Sequence, residues 1–185
     1  MATHIVNASD SADFLRLPSA FYEPLWYVAS TSANHEKTVA EQLGMREVEH
    51  FLPLYNSVRR WKDRRVTLEM PLFPGYVFVR LALRDRIQVL QVPGVAKLVG
   101  FNGLPAALPQ EEIDALRTSM ASGVCAEPYP YLTAGRRVRV MNGPLAGTVG
   151  TLVNRKNKTW FVLFVELIQR AVAIEIRGTE LEPVR

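Results

Sequence analysis

The sequence predicts an α+β protein in two unequal parts: an antiparallel sheet carrying helices, then a small β-barrel. Three observations lead there. Before residue 122, apolar strand patterns are interleaved with two stretches of helical periodicity. The stretch Ala121-Ser122-Gly123-Val124-Cys125-Ala126-Glu127-Pro128-Tyr129-Pro130 has the composition of a linker, placed at 122–131. After it come only short strand patterns separated by glycine, proline and asparagine. About five such strands in about 50 residues imply a barrel, which closes away its own edges. The expected division is a tail over 1–23, a first domain over 24–121, a linker over 122–131 and a barrel over 132–185.

Residues 1–23 mix Ser, Asp, Ala and Pro without periodicity and read as a poorly ordered tail. Leu25-Trp26-Tyr27-Val28-Ala29 reads as the first strand. A helix follows over about 33–47, capped by Ser32 or Asn34, with Val39 and Leu43 facing the sheet. His35, Thr38 and Gln42, at i, i+3 and i+7, form a polar stripe on that helix. A strand pair over about 54–60 and 65–70 holds Trp61-Lys62-Asp63-Arg64 at its tip, and a strand Pro71–Leu81 comes next. A short strand, Val95–Val99, follows Pro93-Gly94, and Asn102-Gly103 makes a turn. Pro109 opens a helix over 109–121 with Ile113, Leu116 and Met120 on one face.

In the barrel, Arg136–Met141 alternates, Asn142-Gly143-Pro144 turns, and Gly147–Val153 returns. Strands at Thr159–Leu167, Ala171–Arg177 and Glu180–Val184 complete it. Within Phe161–Ala171 the β-branched and aromatic content argues strand, although Phe164, Leu167, Ile168 and Ala171 also fit a helical stripe.

Composition narrows the function. The chain has 185 residues, 48% hydrophobic and 22% charged, which is ordinary for a globular protein and excludes wholesale disorder. Its net charge of +4 is uneven: residues 132–185 hold nine Lys and Arg against four Asp and Glu, a net +5. A basic module suits phosphate contact. Cys125 is the only cysteine, and His4, His35 and His50 are scattered, so no intramolecular disulfide, metal site or cofactor is expected. No apolar run approaches the roughly 20 residues that span a bilayer, and the start lacks a signal-peptide pattern. The expectation is a soluble, cytoplasmic, monomeric protein. No Ser/His/Asp or Cys/His arrangement and no phosphate-binding glycine loop stands out, which argues against an enzyme.

The densest signal is Pro71-Leu72-Phe73-Pro74-Gly75-Tyr76-Val77-Phe78-Val79. Read as a strand, it turns Tyr76 and Phe78 to one side and Val77, Val79 and Leu81 to the other. Both faces are apolar. One packs the domain's own core, and the other needs a cover, either a helix of this chain or a partner's surface. Just before it, Arg59, Arg60, Lys62, Arg64 and Arg65 put five cations and one carboxylate in seven residues. Such a run is often a solvated loop, and guanidinium forks also suit phosphate.

Gly135-Arg136-Arg137-Val138-Arg139-Val140 followed by Gly143-Pro144-Leu145-Ala146-Gly147-Thr148-Val149-Gly150 resembles the KOW motif of small SH3-like barrels. Trp26-Tyr27-Val28, the helix after it, the basic tip and PLFPGYVFV followed by Arg80 resemble the NusG N-terminal domain. The resemblance spans about 24–185. Its order, NusG N-terminal domain, short linker and one KOW, is that of the NusG family of elongation factors. Trp61-Lys62-Asp63-Arg64-Arg65 running into PLFPGYVFV looks closer to the specialised, RfaH-like or polysaccharide-operon antiterminators than to the housekeeping factor.

The resemblance implies a non-enzymatic transcription elongation and antitermination factor that grips the clamp helices of RNA polymerase and suppresses pausing. Carried over by position, Phe73, Pro74, Tyr76, Phe78, Phe101 and Leu116 would form the clamp-binding depression, with Leu116 equally well placed to be core. Arg59, Arg60, Lys62, Arg64 and Arg65 would meet upstream DNA or nascent RNA. His35, Thr38 and Gln42 would correspond to the helix face that reads the non-template strand, although the arginine and lysine of RfaH are lacking there. Arg84 and Arg86 lie near the position of the gate-loop contact. The barrel would recruit a further partner, the ribosome or Rho. The rival readings are the housekeeping factor of the same family and a general RNA- or ribosome-binding KOW protein.

Overall fold

The computed structural model describes residues 19–61, 64–121, 126–129, 136–143, 145–155, 158–175 and 181–184. The central sheet of the first domain is antiparallel, in the order β2 (Glu49–Phe51), β5 (Tyr76–Leu81), β1 (Leu25–Thr31), β6 (Val95–Leu98). β1 and β5 pair from Leu25↔Leu81 to Ser30↔Tyr76, which puts Val28 opposite Phe78 and Tyr27 opposite Val79. Alternation then sends Trp26, Val28 and Phe78 to one face and Tyr27, Ala29, Val77 and Val79 to the other.

Each face gets its own helical cover. On the second, α1 (Glu36–Met45) inserts Val39 and Leu43, and α2 (Arg86–Leu90) inserts Val89. On the first, α3 (Gln110–Ala121) inserts Ile113 and Leu116, with Met120 partly buried beside them. The expected inward residues of both long helices are therefore inward. The single turn-and-a-half of α2 was not expected, because five residues are too few to show a helical period.

Several boundaries differ from expectation. α1 begins at Glu36, with His35 as the residue before it and no side-chain cap; Asn34, one of the two expected caps, takes a left-handed φ of 62°. α3 begins at Gln110, with the Pro109 carbonyl accepting the Glu112 N–H, so Pro109 precedes the helix by one position. The largest correction falls on Pro71–Leu81, which is not one strand. β4 (Arg64–Pro71) ends at Pro71, residues 72–75 turn, and β5 starts at Tyr76. The Leu72 N–H reaches the Pro53 carbonyl, the Tyr76 N–H reaches the Phe73 carbonyl, and Gly75 adopts φ +85°, which favours glycine.

β3 (Leu54–Trp61) and β4 form a hairpin of their own, in unbroken register from Leu54↔Pro71 to Trp61↔Arg64. A smaller hairpin, β7 (Gly100–Phe101) with β8 (Leu104–Pro105), turns on Asn102 and Gly103, both at positive φ.

The C-terminal part is an SH3-like, six-stranded antiparallel barrel sheet, ordered β14 (Leu181–Pro183), β10 (Arg136–Val140), β11 (Val149–Arg155), β12 (Lys158–Val165), β13 (Arg170–Glu175), β9 (Ala126–Tyr129). β9 is a departure, because it lies within the expected linker yet pairs with β13 from Ala171↔Tyr129 to Ile174↔Ala126. Proline and tyrosine in that stretch gave a linker's composition, and an edge strand tolerates both. The Phe161–Ala171 segment resolves to strand, a short 3-10 turn at Glu166–Ile168 and strand again. Gly150 explains itself: a Cβ there would stand 2.6 Å from the Phe161 ring and from the Val162 carbonyl. The expected tail up to residue 18 and the remaining linker residues 122–125 and 130–131 lie outside the described residues.

Candidate functional site

The turn 72–75 is held from both sides. The Thr31 N–H donates to the Gly75 carbonyl at 2.8 Å, and the Gly75 N–H donates to Oε1 of Glu36 at 2.6 Å. Glu36 is only 4% exposed, so one buried carboxylate clamps the start of α1 to the loop entering β5. The six residues carried over for partner contact fall into two groups around this turn. Phe73, Phe78 and Leu116 are buried, the rings of Phe73 and Phe78 meeting edge to face at 5.6 Å. Pro74 is exposed, Tyr76 is half-buried, and Phe101 is 68% exposed on the small hairpin. The cover for the Tyr76 and Phe78 face is thus α3 and Phe73 of this chain.

Of the basic residues, Arg64 and Arg65 are exposed on β4. The backbone of Arg59 and Arg60 lies on β3, opposite Val66 and Arg65, while Lys62 lies outside the described residues. Val58 and Leu68 are exposed on the same hairpin. Lys37 Nζ stands 3.7 Å from Oε2 of Glu69, which ties the outer surface of α1 to the hairpin. His35, just before that helix, and Thr38 on it are exposed, and Gln42 is half-buried. The structure therefore brings the basic hairpin beside α1, two features that are far apart in the sequence. Arg84 and Arg86 are exposed, Arg84 beside Asp85 and Arg86 donating to the Leu83 carbonyl.

Sequence reasoning missed one cluster. The Arg117 guanidinium sits over Trp26 at 4.7 Å from the ring centroid and over Phe51 at 5.4 Å. Glu49 accepts from both Arg117, at 3.4 Å, and Arg80, at 3.1 Å. Trp26 Nε1 donates to Oε1 of Gln110 at 2.8 Å, so α3 is pinned to β1 at its start and by Arg117 further on. Long-range pairing alone assembles this group, and no local spacing announces it.

In the barrel, Gly143 and Gly147 take φ +81° and +85°, and the Gly147 N–H closes the turn on the Val140 carbonyl at 2.7 Å. The molecule is thus a two-part protein, a glycine-punctuated KOW-type barrel behind an α/β sandwich that displays a basic hairpin. The model of the family described as transcription termination factor nusG matches residues 24–117. The chain belongs to the NusG family and is a transcription termination/antitermination factor, not an enzyme. It is 30% identical to the NusG protein of Vibrio cholerae serotype O1 over 172 residues, covering 85% of this chain and 94% of that one. It is 24% identical to NusG of Helicobacter pylori strain J99, covering 86% and 98%. A solved structure of Thermotoga maritima NusG shares the fold with a TM-score of 0.55 at 19% identity, covering 89% of this chain and 99% of that one. Among the described residues, no helix is long and apolar enough to cross a membrane.

Proposed function

We propose that this chain is an operon-specific member of its family that grips the clamp helices of RNA polymerase and suppresses pausing and termination. Pro74, Tyr76 and Phe101 would supply the apolar contacts, and Phe73, Phe78 and Leu116 would shape that surface from beneath. The basic hairpin, with His35, Thr38 and Gln42 on the helix beside it, would face DNA or nascent RNA. The gate loop would be met by Arg84 and Arg86, and the barrel would recruit the ribosome or Rho. The factor would act by differential affinity: preferring the closed clamp, it shifts polymerase toward processive states by no more than that preference.

The observation that supports this reading best is the placement of the exposed hairpin immediately before the turn that displays Pro74 and Tyr76. Such an order along the chain would let cations and apolar anchors act together, as a protein seated on polymerase beside nucleic acid requires. The test is twofold. Replacing Tyr76 and Phe101 with alanine is expected to weaken co-purification with polymerase by at least about thirtyfold, since a good anchor contributes about 2 kcal/mol. Occupancy mapped across the genome should fall on a few operons. Unchanged co-purification sinks the clamp reading, and occupancy at most transcribed loci makes the protein a housekeeping NusG.

A further inference from the structure

The barrel rests on α3. Leu116 lies in one continuous apolar cluster with Val138 and Val140 of β10, Leu145, and Leu163 and Val165 of β12. Beside this contact is a cleft of about 960 Å³ between α3 and the strands β10, β11 and β12. Its charged lining is lopsided among the described residues: Glu111, Glu112 and Asp114 come from α3, Glu166 from the turn after β12, and Arg137 from β10 is the single cation.

Glu112 is the group out of place. Its Oε2 is shut off from solvent and has no hydrogen-bond partner among the described residues. Across the seam stands Glu166, and on its own helix Glu111, both repelling a negative charge there. No ion pair among the described residues links it to Arg137. An orphaned carboxylate oxygen facing like charge is costly when ionised, and a proton on the carboxyl or an opening of the contact relieves that cost. We propose that the seam between α3 and the barrel is a proton-dependent latch: neutral Glu112 lets the barrel dock on α3, and ionised Glu112, opposed by Glu166, drives it off.

The direction follows from linkage. Burial first, then the charges of Glu166 and Glu111, raise the Glu112 carboxyl from 4.5 to about 7 when docked. With the barrel released, Glu112 is solvated and returns toward its ordinary value. The docked form therefore binds more protons between the two values. Docking is strongest in acid, weakens as pH rises, and has shed its proton-dependent stabilisation above about pH 7. The cleft beside Glu112 has room for many waters, at roughly 30 Å³ each. That release would also free Leu116 and its neighbours for a polymerase partner rests on the function proposed above; the latch itself does not.

The test uses the full chain, labelled with nitrogen-15, with the rotational correlation times of the two domains measured between pH 5.5 and 8.5. The two are expected to tumble together at pH 5.5 and separately at pH 8.5. Glu112→Gln, which keeps the volume and removes the charge, should tumble as one body throughout, and Glu166→Gln should stay docked to a higher pH than the wild type. Separate tumbling at pH 5.5, common tumbling at pH 8.5, or a Glu112→Gln variant that follows the wild-type curve would overturn the latch. Polymerase affinity measured on the same samples keeps the two readings apart: an opened latch without tighter binding leaves the latch standing and counts against the clamp contact.

Discussion

The two faces of the central sheet are built from the same strands and end differently. The face of Tyr27, Val77 and Val79 is sealed by α1 and α2, and its apolar cluster contains no barrel residue among those described. The face of Trp26, Val28 and Phe78 is covered by α3, and its cluster runs on into the barrel. One face is a private core; the other is a core shared between two domains. A strand with two apolar sides thus gives two kinds of stability, one that belongs to the first domain and one that depends on what lies over it.

Emptying each face in turn puts the difference to its severest trial. Phe78→Ala is expected to destabilise by about 3–5 kcal/mol and Leu43→Ala by about 2–5 kcal/mol, because both side chains are fully buried. Urea unfolding checks both. Only Phe78→Ala should also loosen the barrel, seen as a change in the barrel's amide exchange. Equal effects on the barrel from both variants would erase the distinction. The Phe78→Ala variant also bears on partner binding: the residue is core here, so weaker polymerase binding by that variant would report unfolding rather than a missing anchor.

The next effect is at the clamp between the faces. Glu36→Ala removes the buried acceptor of the Gly75 N–H and should cost about 1–3 kcal/mol. Glu36→Gln, which keeps an acceptor, should cost less. Hydrogen exchange at Gly75 reads the local opening directly, and an unprotected Gly75 amide in the wild type would refute the clamp.

A smaller loss belongs to the shared face. Arg117→Ala removes the cation over Trp26 and Phe51 and one of two partners of Glu49, for about 1 kcal/mol. Thermal unfolding measures it, with Arg117→Lys as the control that keeps charge without the planar stack. Smallest of all for stability is the hairpin. Arg64→Gln with Arg65→Gln should shift stability by less than about 0.5 kcal/mol, since both are exposed. The same pair should flatten the salt dependence of nucleic-acid binding by about 0.7–0.9 in log–log slope for each phosphate no longer neutralised. An unchanged slope returns the hairpin to a solvated surface.

Much of this was legible in the chain. Period-two alternation in Tyr76–Leu81 foretold two apolar faces, and 3.6-residue spacing put Val39, Leu43, Ile113 and Leu116 inward, because side-chain direction follows backbone geometry over a few residues. The glycines of the barrel marked its turns for the same local reason. What was misread lay at junctions: Pro71–Gly75 looked like strand because its apolar content hid a turn fixed by contacts with Pro53, Thr31 and Glu36. β9 looked like linker because its pairing partner lies far down the chain, in β13.

Read alone, the chain carried the kind of each element, the division into an α/β domain and a barrel, and the family. Those depend on near-neighbour periodicity and on glycine and proline conformation. Folding in three dimensions was needed to settle which apolar face is private and which is shared, that Glu36 clamps Gly75, that Arg117 stacks on Trp26 and Phe51, and that Glu112 meets Glu166 across the seam. Those contacts join residues tens of positions apart. Their energy comes from burial and from charges brought close in a low dielectric, which no stretch of chain carries alone.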